Sequence, residues 1–158
     1  MTRLRAVVLT ALLAAALAAA GGAPAAAAPA VPPVQLVETR PVETALGDPE
    51  LPATLETWLA LIRGARRGLD FEQFYLSTWP GEPTEEVLAE LGRAAARGVR
   101  VRLLLDARMH RTYPRPADSL AAVQGFEVRL IDFARLAGGV QHAKFFLVDG
   151  REVELSPQ

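Results

Sequence analysis

The sequence predicts an α/β sandwich built around a largely parallel sheet. Three times along the chain a helical pattern ends at a glycine, and a short run of aliphatic, β-branched and aromatic residues follows at once. This alternation is typical of α/β folds, and a glycine at each helix exit can take the left-handed conformation needed there. The length behind the N-terminal alanine-rich stretch suffices for one domain with a modest core.

The N-terminus is typical of an export signal. Arg3 and Arg5 supply a charged start, residues 6–20 are apolar, and small residues suited to cleavage follow near Ala28 or Ala30. We therefore expect residues 1–30 to be a signal peptide and the product to be exported, to the periplasm or the cell exterior. An uncleaved membrane anchor is the alternative, although the apolar stretch is short for a span.

A proline-rich, aperiodic stretch comes next, and it predicts an extended lead-in over residues 31–52 before a domain over 53–158. In the domain, apolar residues at helical spacing predict a first helix from Ala53 to Arg67, which Gly68 ends. The first strand is then expected over Leu69–Leu76.

Two further helix–strand pairs follow. Thr84 can cap a helix that runs to Arg97, and the strand Val99–Leu105 comes after it. A shorter helix from about Ala117 to Gln124 precedes a strand over Phe126–Ile131. Because α/β sheets bind ligands in the loops that follow their strands, the loops after these two strands are expected to border one crevice.

The segment Val140–Val148 carries the residues that point to chemistry. It is rich in aromatic and β-branched residues and lies between two glycine-containing turns, which predicts a strand. His142 and Lys144 are two residues apart and therefore share a face, about 7 Å apart along the strand. Phe145 and Leu147 are expected on the opposite face, in a core.

Lys144 is the only lysine of the chain, and an ammonium is not interchangeable with a guanidinium. A histidine can act as a nucleophile, and a lysine beside it can neutralise charge on phosphoryl oxygens. Structural alternatives stay open: a satisfied strand histidine, an ordinary exposed lysine, and Asp149-Gly150 as the turn of a hairpin to Arg151–Leu155.

The spacing of His142, Lys144 and Asp149 resembles the His-x-Lys-x4-Asp signature of the phospholipase D superfamily. Residues 98–106 and 69–75 are similar to the strands that precede this motif in bacterial phospholipase D-like and cardiolipin synthase-like proteins. The resemblance implies that two motifs, from one chain or two subunits, form one site. One histidine attacks phosphorus to give phosphohistidine, and the other protonates the leaving group.

By that resemblance, His142 is the nucleophile or the acid, Lys144 is the phosphate ligand and Asp149 orients an imidazole. The implied substrate is a phospholipid or another phosphodiester, which is hydrolysed or transferred, with possible contact to a membrane surface. A missing segment or a homodimer partner would supply the second motif. No cofactor is expected, and two separated histidines without any cysteine do not assemble a metal site.

Charge bears on the choice of substrate. Without the signal peptide, the chain has 15 basic and 18 acidic side chains, whereas a nuclease usually shows a basic surface. Nucleic acid is therefore expected less than phospholipid, although Arg108, Arg111 and Arg115 could form a local basic patch. A dimeric nuclease of the same superfamily is the alternative function.

The sequence departs from the family pattern after Asp149. Gly-Ser and a later Asn usually follow, but Ser156 and Pro157 stand there, and proline has no N–H to offer a phosphate. The other histidine, His110, has no lysine at motif spacing. A truncated, catalytically inactive N-terminal half of a two-motif enzyme is thus a further alternative.

Glu72 is a charged residue within an otherwise apolar predicted strand. It is either a solvated residue at a sheet edge or a support for the imidazole, and the sequence leaves both interpretations open.

Overall fold

The computed structural model describes residues 33–41 and 43–156, so the predicted signal peptide lies outside the described residues. In the described part, no helix is both long and apolar enough to cross a bilayer. The helices there are α1 (Thr54–Gly64), α2 (Pro83–Ala96), α3 (Ala107–His110), α4 (Pro114–Ala121) and α5 (Phe133–Ala137). The strands are β1 (Gly68–Gln73), β2 (Arg100–Asp106), β3 (Phe126–Ile131), β4 (Lys144–Val148) and β5 (Glu152–Leu155).

The strands form one sheet in the order β3-β2-β1-β4-β5, which confirms the predicted α/β fold. Strands β1, β2 and β3 are parallel neighbours, as their helical crossovers require. Strands β4 and β5 continue the sheet in antiparallel pairing beyond β1. The carboxyl end of β1 therefore meets the amino end of β4, and Gln73 pairs with Lys144.

The turn between β4 and β5 is the hairpin that the sequence left open as an alternative. Asp149 and Gly150 both have positive φ, 54° and 69°, as the two central residues of a type I′ turn require. The Arg151 N–H donates to the Val148 carbonyl across the turn at 3.0 Å. The motif aspartate is thus also a turn residue, and its backbone conformation is uncommon outside glycine.

Helix α1 ends at Gly64, earlier than the predicted end at Arg67. Ala65 is extended, and the backbone N–H groups that follow it are held by a carboxylate of the β4–β5 turn. Helix α4 begins at Pro114, earlier than the predicted start at Ala117, because proline is favourable in the first turn of a helix. Both differences arise at helix ends.

The buried face of β4 is the one that carries Lys144, which corrects the predicted core. Phe146 is fully buried, stacks on Phe71 with ring centres 4.6 Å apart and meets the edge of Trp58 at 5.2 Å. Phe145 is on the opposite face and is only half-buried. The prediction failed because parity states which residues share a face, but not which face the helices cover.

Within the predicted lead-in, residues 31–52, Glu38 and Arg40 contact the segment that leads into α1. Glu38 forms a bridge with Ala53, and its N–H donates to the Pro52 carbonyl at 2.9 Å. The Arg40 guanidinium donates to the Leu51 carbonyl at 2.9 Å. These residues therefore pack with the domain instead of standing apart from it.

Helices α1 and α2 are joined by a carboxylate that three arginines surround. Glu90 on α2 is buried, and it accepts from Arg63 of α1 at 3.1 Å and from Arg93 at 2.8 Å. Arg97 lies 3.3 Å from the same carboxylate and also donates to the Ile62 carbonyl at the end of α1. Arginine hydrogen bonds, chiefly from Arg93, lower the pKa of Glu90.

Candidate active site

His142 and Lys144 meet at the carboxyl edge of the parallel strands. Lys144 is the first residue of β4, and His142 lies in the loop just before it instead of inside the strand as predicted. The Lys144 Nζ atom is 3.3 Å from both Nδ1 and Nε2 of His142. The ammonium can donate to whichever ring nitrogen carries no hydrogen. The structure therefore brings His142 and Lys144 together, as their spacing of two residues predicts.

Phe74 supports this pair from the end of β1. Its ring centre lies 4.4 Å from that of His142, and the Lys144 ammonium lies 5.4 Å from the same ring centre, within cation–π range. His142 is exposed, whereas Lys144 is half-buried. An imidazole open to solvent beside a positioned ammonium can reach the phosphorus of a phosphate whose oxygens contact the lysine.

Asp149 lies at the other end of β4, about 17 Å from Lys144 by the rise of five strand residues. One carboxylate oxygen accepts from the N–H groups of Arg67 at 2.7 Å and Gly68 at 3.0 Å, and the other accepts from Arg66 at 3.1 Å. Hydrogen bonds from these N–H groups lower the pKa of Asp149, and the one from Gly68 has the largest effect. The carboxylate thus joins the β4–β5 turn to the start of β1, and it is not in a position to orient His142.

A buried network positions the loop before His142, and sequence reasoning missed most of it. Asp106, at the end of β2, caps α3 by accepting from Arg108 and Met109 N–H groups, and its second oxygen accepts from the Gln141 N–H at 2.9 Å. The Gln141 side chain donates to Glu72 at 2.8 Å.

Glu72 therefore supports the segment next to the imidazole and is not merely a solvated residue. A strand-ending aspartate before a helix is a recognisable capping signal, so Asp106 could have been found from the sequence. Its contact with Gln141 spans 35 residues, and that of Glu72 with Gln141 spans 69, so neither leaves a local signal.

A row of aromatic rings runs away from His142. Beyond Phe74, Tyr75 follows with ring centres 5.6 Å apart, and Tyr113 lies 5.5 Å beyond Tyr75. Tyr113 belongs to the arginine-rich segment after β2, so this row connects the loops that follow β1 and β2. His110, the other histidine, pairs with Asp118 at 2.9 Å and does not join the motif.

A cleft of about 630 Å³ opens beside Lys144. Its walls are largely apolar side chains of β1, α1 and α2, among them Trp58, Phe71 and Leu88. The charged residues that line it are Glu38, Arg40, Glu56 and Lys144. Among the described residues, no group of three or more histidine and acidic side chains is placed to hold a metal ion.

Comparison with known proteins identifies the domain. A family model described as "Cardiolipin synthase, PLD-like domain" matches residues 58–155, which include His142, Lys144 and Asp149. The 5'-3' exonuclease PLD3 of Rattus norvegicus is 37% identical over a match that covers 62% of this chain and 21% of the relative. The 5'-3' exonuclease PLD4 of Homo sapiens is 30% identical, with 75% and 25% covered. The chain therefore spans about a fifth to a quarter of the length of these relatives.

Solved structures give a weaker likeness. Nuc from Salmonella typhimurium, described as a phospholipase D family member, has a TM-score of 0.49 at 24% identity over 65% of this chain and 62% of that chain. NucT from Helicobacter pylori has a TM-score of 0.47 at 16% identity, with 64% and 63% covered.

Proposed function

The chain belongs to the phospholipase D-like family, and from that membership we propose that it contributes one His-x-Lys half to a site that breaks phosphodiester bonds. The observation that carries this proposal is the placement of the Lys144 ammonium 3.3 Å from the ring nitrogens of an exposed His142. A group suited to act as a nucleophile and a group suited to bind phosphate thus lie side by side, at the edge where α/β sheets commonly bind ligands.

In the proposed reaction, a ring nitrogen of His142 attacks phosphorus, and the bond between phosphorus and the leaving oxygen breaks. The leaving oxygen takes a proton from a second histidine, which then accepts a proton from the water that hydrolyses the phosphohistidine. Lys144 holds the phosphoryl oxygens and offsets their charge. The sequence has one His-x-Lys, so in this proposal a second copy of this chain or another segment supplies the second.

Nucleic acid is the substrate that we favour. Two relatives are named 5'-3' exonucleases, and they support the nuclease alternative at least as well as the phospholipid reading that the sequence ranked first. The overall acidic balance does not decide the question, because phosphate contacts depend on local charge. Phospholipid stays the second candidate because a largely apolar cleft opens beside Lys144.

Three substrates test the proposal: a fluorescent single-stranded oligonucleotide, bis(4-nitrophenyl) phosphate, and vesicles that contain phosphatidylglycerol. We expect the chain to cleave the oligonucleotide, with a rate that rises with the square of protein concentration if two copies form the site. His142→Ala should abolish both turnover and any acid-labile phosphoryl label on the protein, while His110→Ala should retain both.

Equal turnover by the native chain and His142→Ala would contradict the proposal. Absence of turnover at every protein concentration would instead favour the catalytically inactive alternative. Cleavage of phosphatidylglycerol without cleavage of the oligonucleotide would show that phospholipid, and not nucleic acid, is the substrate.

Export is a separate part of the proposal, and it rests on residues 1–30 alone. N-terminal sequencing of the exported protein should find a start between about Ala23 and Val31. A product that stays in the cytoplasm with Met1 retained would contradict it.

A further inference from the structure

Phe74 supports His142 and Lys144, but the two tyrosines beyond it have no part in the chemistry proposed above. We propose that Tyr75 and Tyr113 form a platform on which a base of single-stranded nucleic acid stacks while His142 and Lys144 hold an adjacent phosphate. This inference rests on the proposed function, and it narrows the substrate to strands whose bases are unpaired.

Continuity with the reacting group is the first support. Ring centres follow one another at 4.4 Å from His142 to Phe74, 5.6 Å from Phe74 to Tyr75 and 5.5 Å from Tyr75 to Tyr113. These contacts therefore link the imidazole to both tyrosines, and the proposal places the base on the tyrosines while the phosphate lies at His142. Base stacking on aromatic side chains tolerates any sequence, because every base has a π-face.

Exposure is the second support. Tyr75 keeps 42% of its surface exposed although it touches aromatic rings on two sides. Its ring is tilted by only 35° from that of Tyr113, so Tyr113 supports it from one side. An aromatic ring that is held in place but not covered is suited to stack against a ligand.

Charge is the third support. Arg108, Arg111 and Arg115 lie on the segment that presents Tyr113, and all three are exposed. None of their guanidinium groups makes an ion pair with any described residue, whereas Arg63, Arg93 and Arg102 all do. Arginines without ion pairs on the segment that carries Tyr113, together with the exposed ring of Tyr75, offer both backbone neutralisation and base stacking, as single-strand binding surfaces do.

The arrangement favours a single strand over a duplex or a lipid surface. In a duplex the bases are stacked on one another and do not present their faces to the protein. An anionic membrane would attract the arginines, but it gives no role to aromatic rings that continue from the imidazole.

The experiment measures binding by fluorescence anisotropy for two labelled strands of the same length and charge, one with bases and one abasic. Tyr75→Ala should weaken binding of the base-containing strand by about five- to a hundred-fold and leave the abasic strand unaffected. Tyr75→Phe should bind like the native chain, because the ring face is retained. Tyr75→Leu, which keeps apolar bulk without a ring, replaces the alanine variant if that variant melts early.

The arginines are tested on the same strands. Arg111→Ala should weaken both strands alike and reduce the slope of log affinity against log salt by about 0.7. Arg151→Ala, an exposed arginine in the β4–β5 turn, is the matched control and should change neither affinity nor slope.

Equal affinity of the native chain for both strands would overturn the platform, as would unchanged binding by Tyr75→Ala or no binding of the oligonucleotide. The platform would also be overturned if Tyr75→Ala weakened binding to vesicles of phosphatidylglycerol and phosphatidylcholine but not to the base-containing strand. This experiment measures binding and not turnover. A failure of His142 to form phosphohistidine would contradict the proposed function and leave the platform standing. A failure of Tyr75→Ala to weaken binding would contradict the platform and leave the proposed function standing.

Discussion

The carboxylate of Asp149 accepts a hydrogen bond from the Gly68 N–H at 3.0 Å, so the motif aspartate anchors the start of β1 to the β4–β5 turn. The same carboxylate also binds the N–H groups of Arg66 and Arg67. The three residues of the His-x-Lys-x4-Asp signature therefore lie at two separate places. His142 and Lys144 are at one end of β4, and Asp149 is at the other.

Asp149→Asn should destabilise the fold and leave the chemistry of the folded protein intact. The amide has one acceptor oxygen in place of two and carries no charge, so it cannot satisfy all three N–H groups. Melting temperature should fall, while turnover measured well below the melt should match the native rate. Asp132→Asn, which replaces a carboxylate that binds a single N–H, should lower the melting temperature less.

The pH dependence of this effect has a defined sign. The pKa of Asp149 is lowered in the folded state, so its contribution is present above the unfolded value and is lost as pH falls through the folded pKa. The stability difference between native and Asp149→Asn should therefore shrink below about pH 4. A difference that stays constant down to strongly acidic pH would contradict this account.

Lys144→Arg should reduce turnover by about 10² or more, even though the charge is kept. A planar guanidinium is larger than the ammonium that lies 3.3 Å from the His142 ring nitrogens and 5.4 Å from the Phe74 ring centre. Activity beside thermal melting separates lost chemistry from lost fold. A near-normal rate in this variant would remove the case for Lys144 as a phosphate ligand.

Gln141→Glu should lower the free energy of unfolding at neutral pH by about 2 kcal/mol, because it leaves two carboxylates where Gln141 now donates to Glu72 at 2.8 Å. Adding Glu72→Gln restores a donor and an acceptor in swapped positions. The double variant should therefore recover most of the stability, and turnover should recover with it if this pair positions His142. Equal damage in single and double variants would show that the hydrogen bond is not the cause.

Glu90→Gln should cost about 1–2 kcal/mol of unfolding free energy, less than a fully buried ion pair, because the partner arginines are 40–55% exposed. Arginine hydrogen bonds lower the pKa of Glu90, so this contribution too is lost as pH falls below about 4. The control is Glu86→Gln, because Glu86 and Arg63 are about half exposed and 4.0 Å apart. It should change stability by less than about 0.5 kcal/mol.

Glu154→Gln should raise stability at neutral pH. Burial raises the pKa of Glu154, and its carboxylate oxygens make no hydrogen bond with any described residue. A raised folded pKa means that the native glutamate is most favourable at acidic pH and loses stability as pH rises. The gain should therefore vanish below about pH 4, and the exposed Glu152→Gln on the same strand should show none.

The sequence by itself determined the α/β class and the pairing of His142 with Lys144. Helix–glycine–strand alternation is a local pattern, and two residues at i and i+2 near a strand are close whatever the rest of the chain does. The hairpin turn at Asp149-Gly150 was readable for the same reason, because its positive φ angles depend on those two residues.

Tertiary structure alone decided which face of β4 is buried, where the Asp149 carboxylate binds and what Glu72 supports. Phe146 became the core residue because α1 and α2 cover its face, and strand parity carries no information on that choice. The Asp149 and Glu72 contacts join residues 81 and 69 positions apart. Such contacts depend on strand order and register, which bring distant backbone N–H groups and side chains within hydrogen-bond reach only when the sheet has formed.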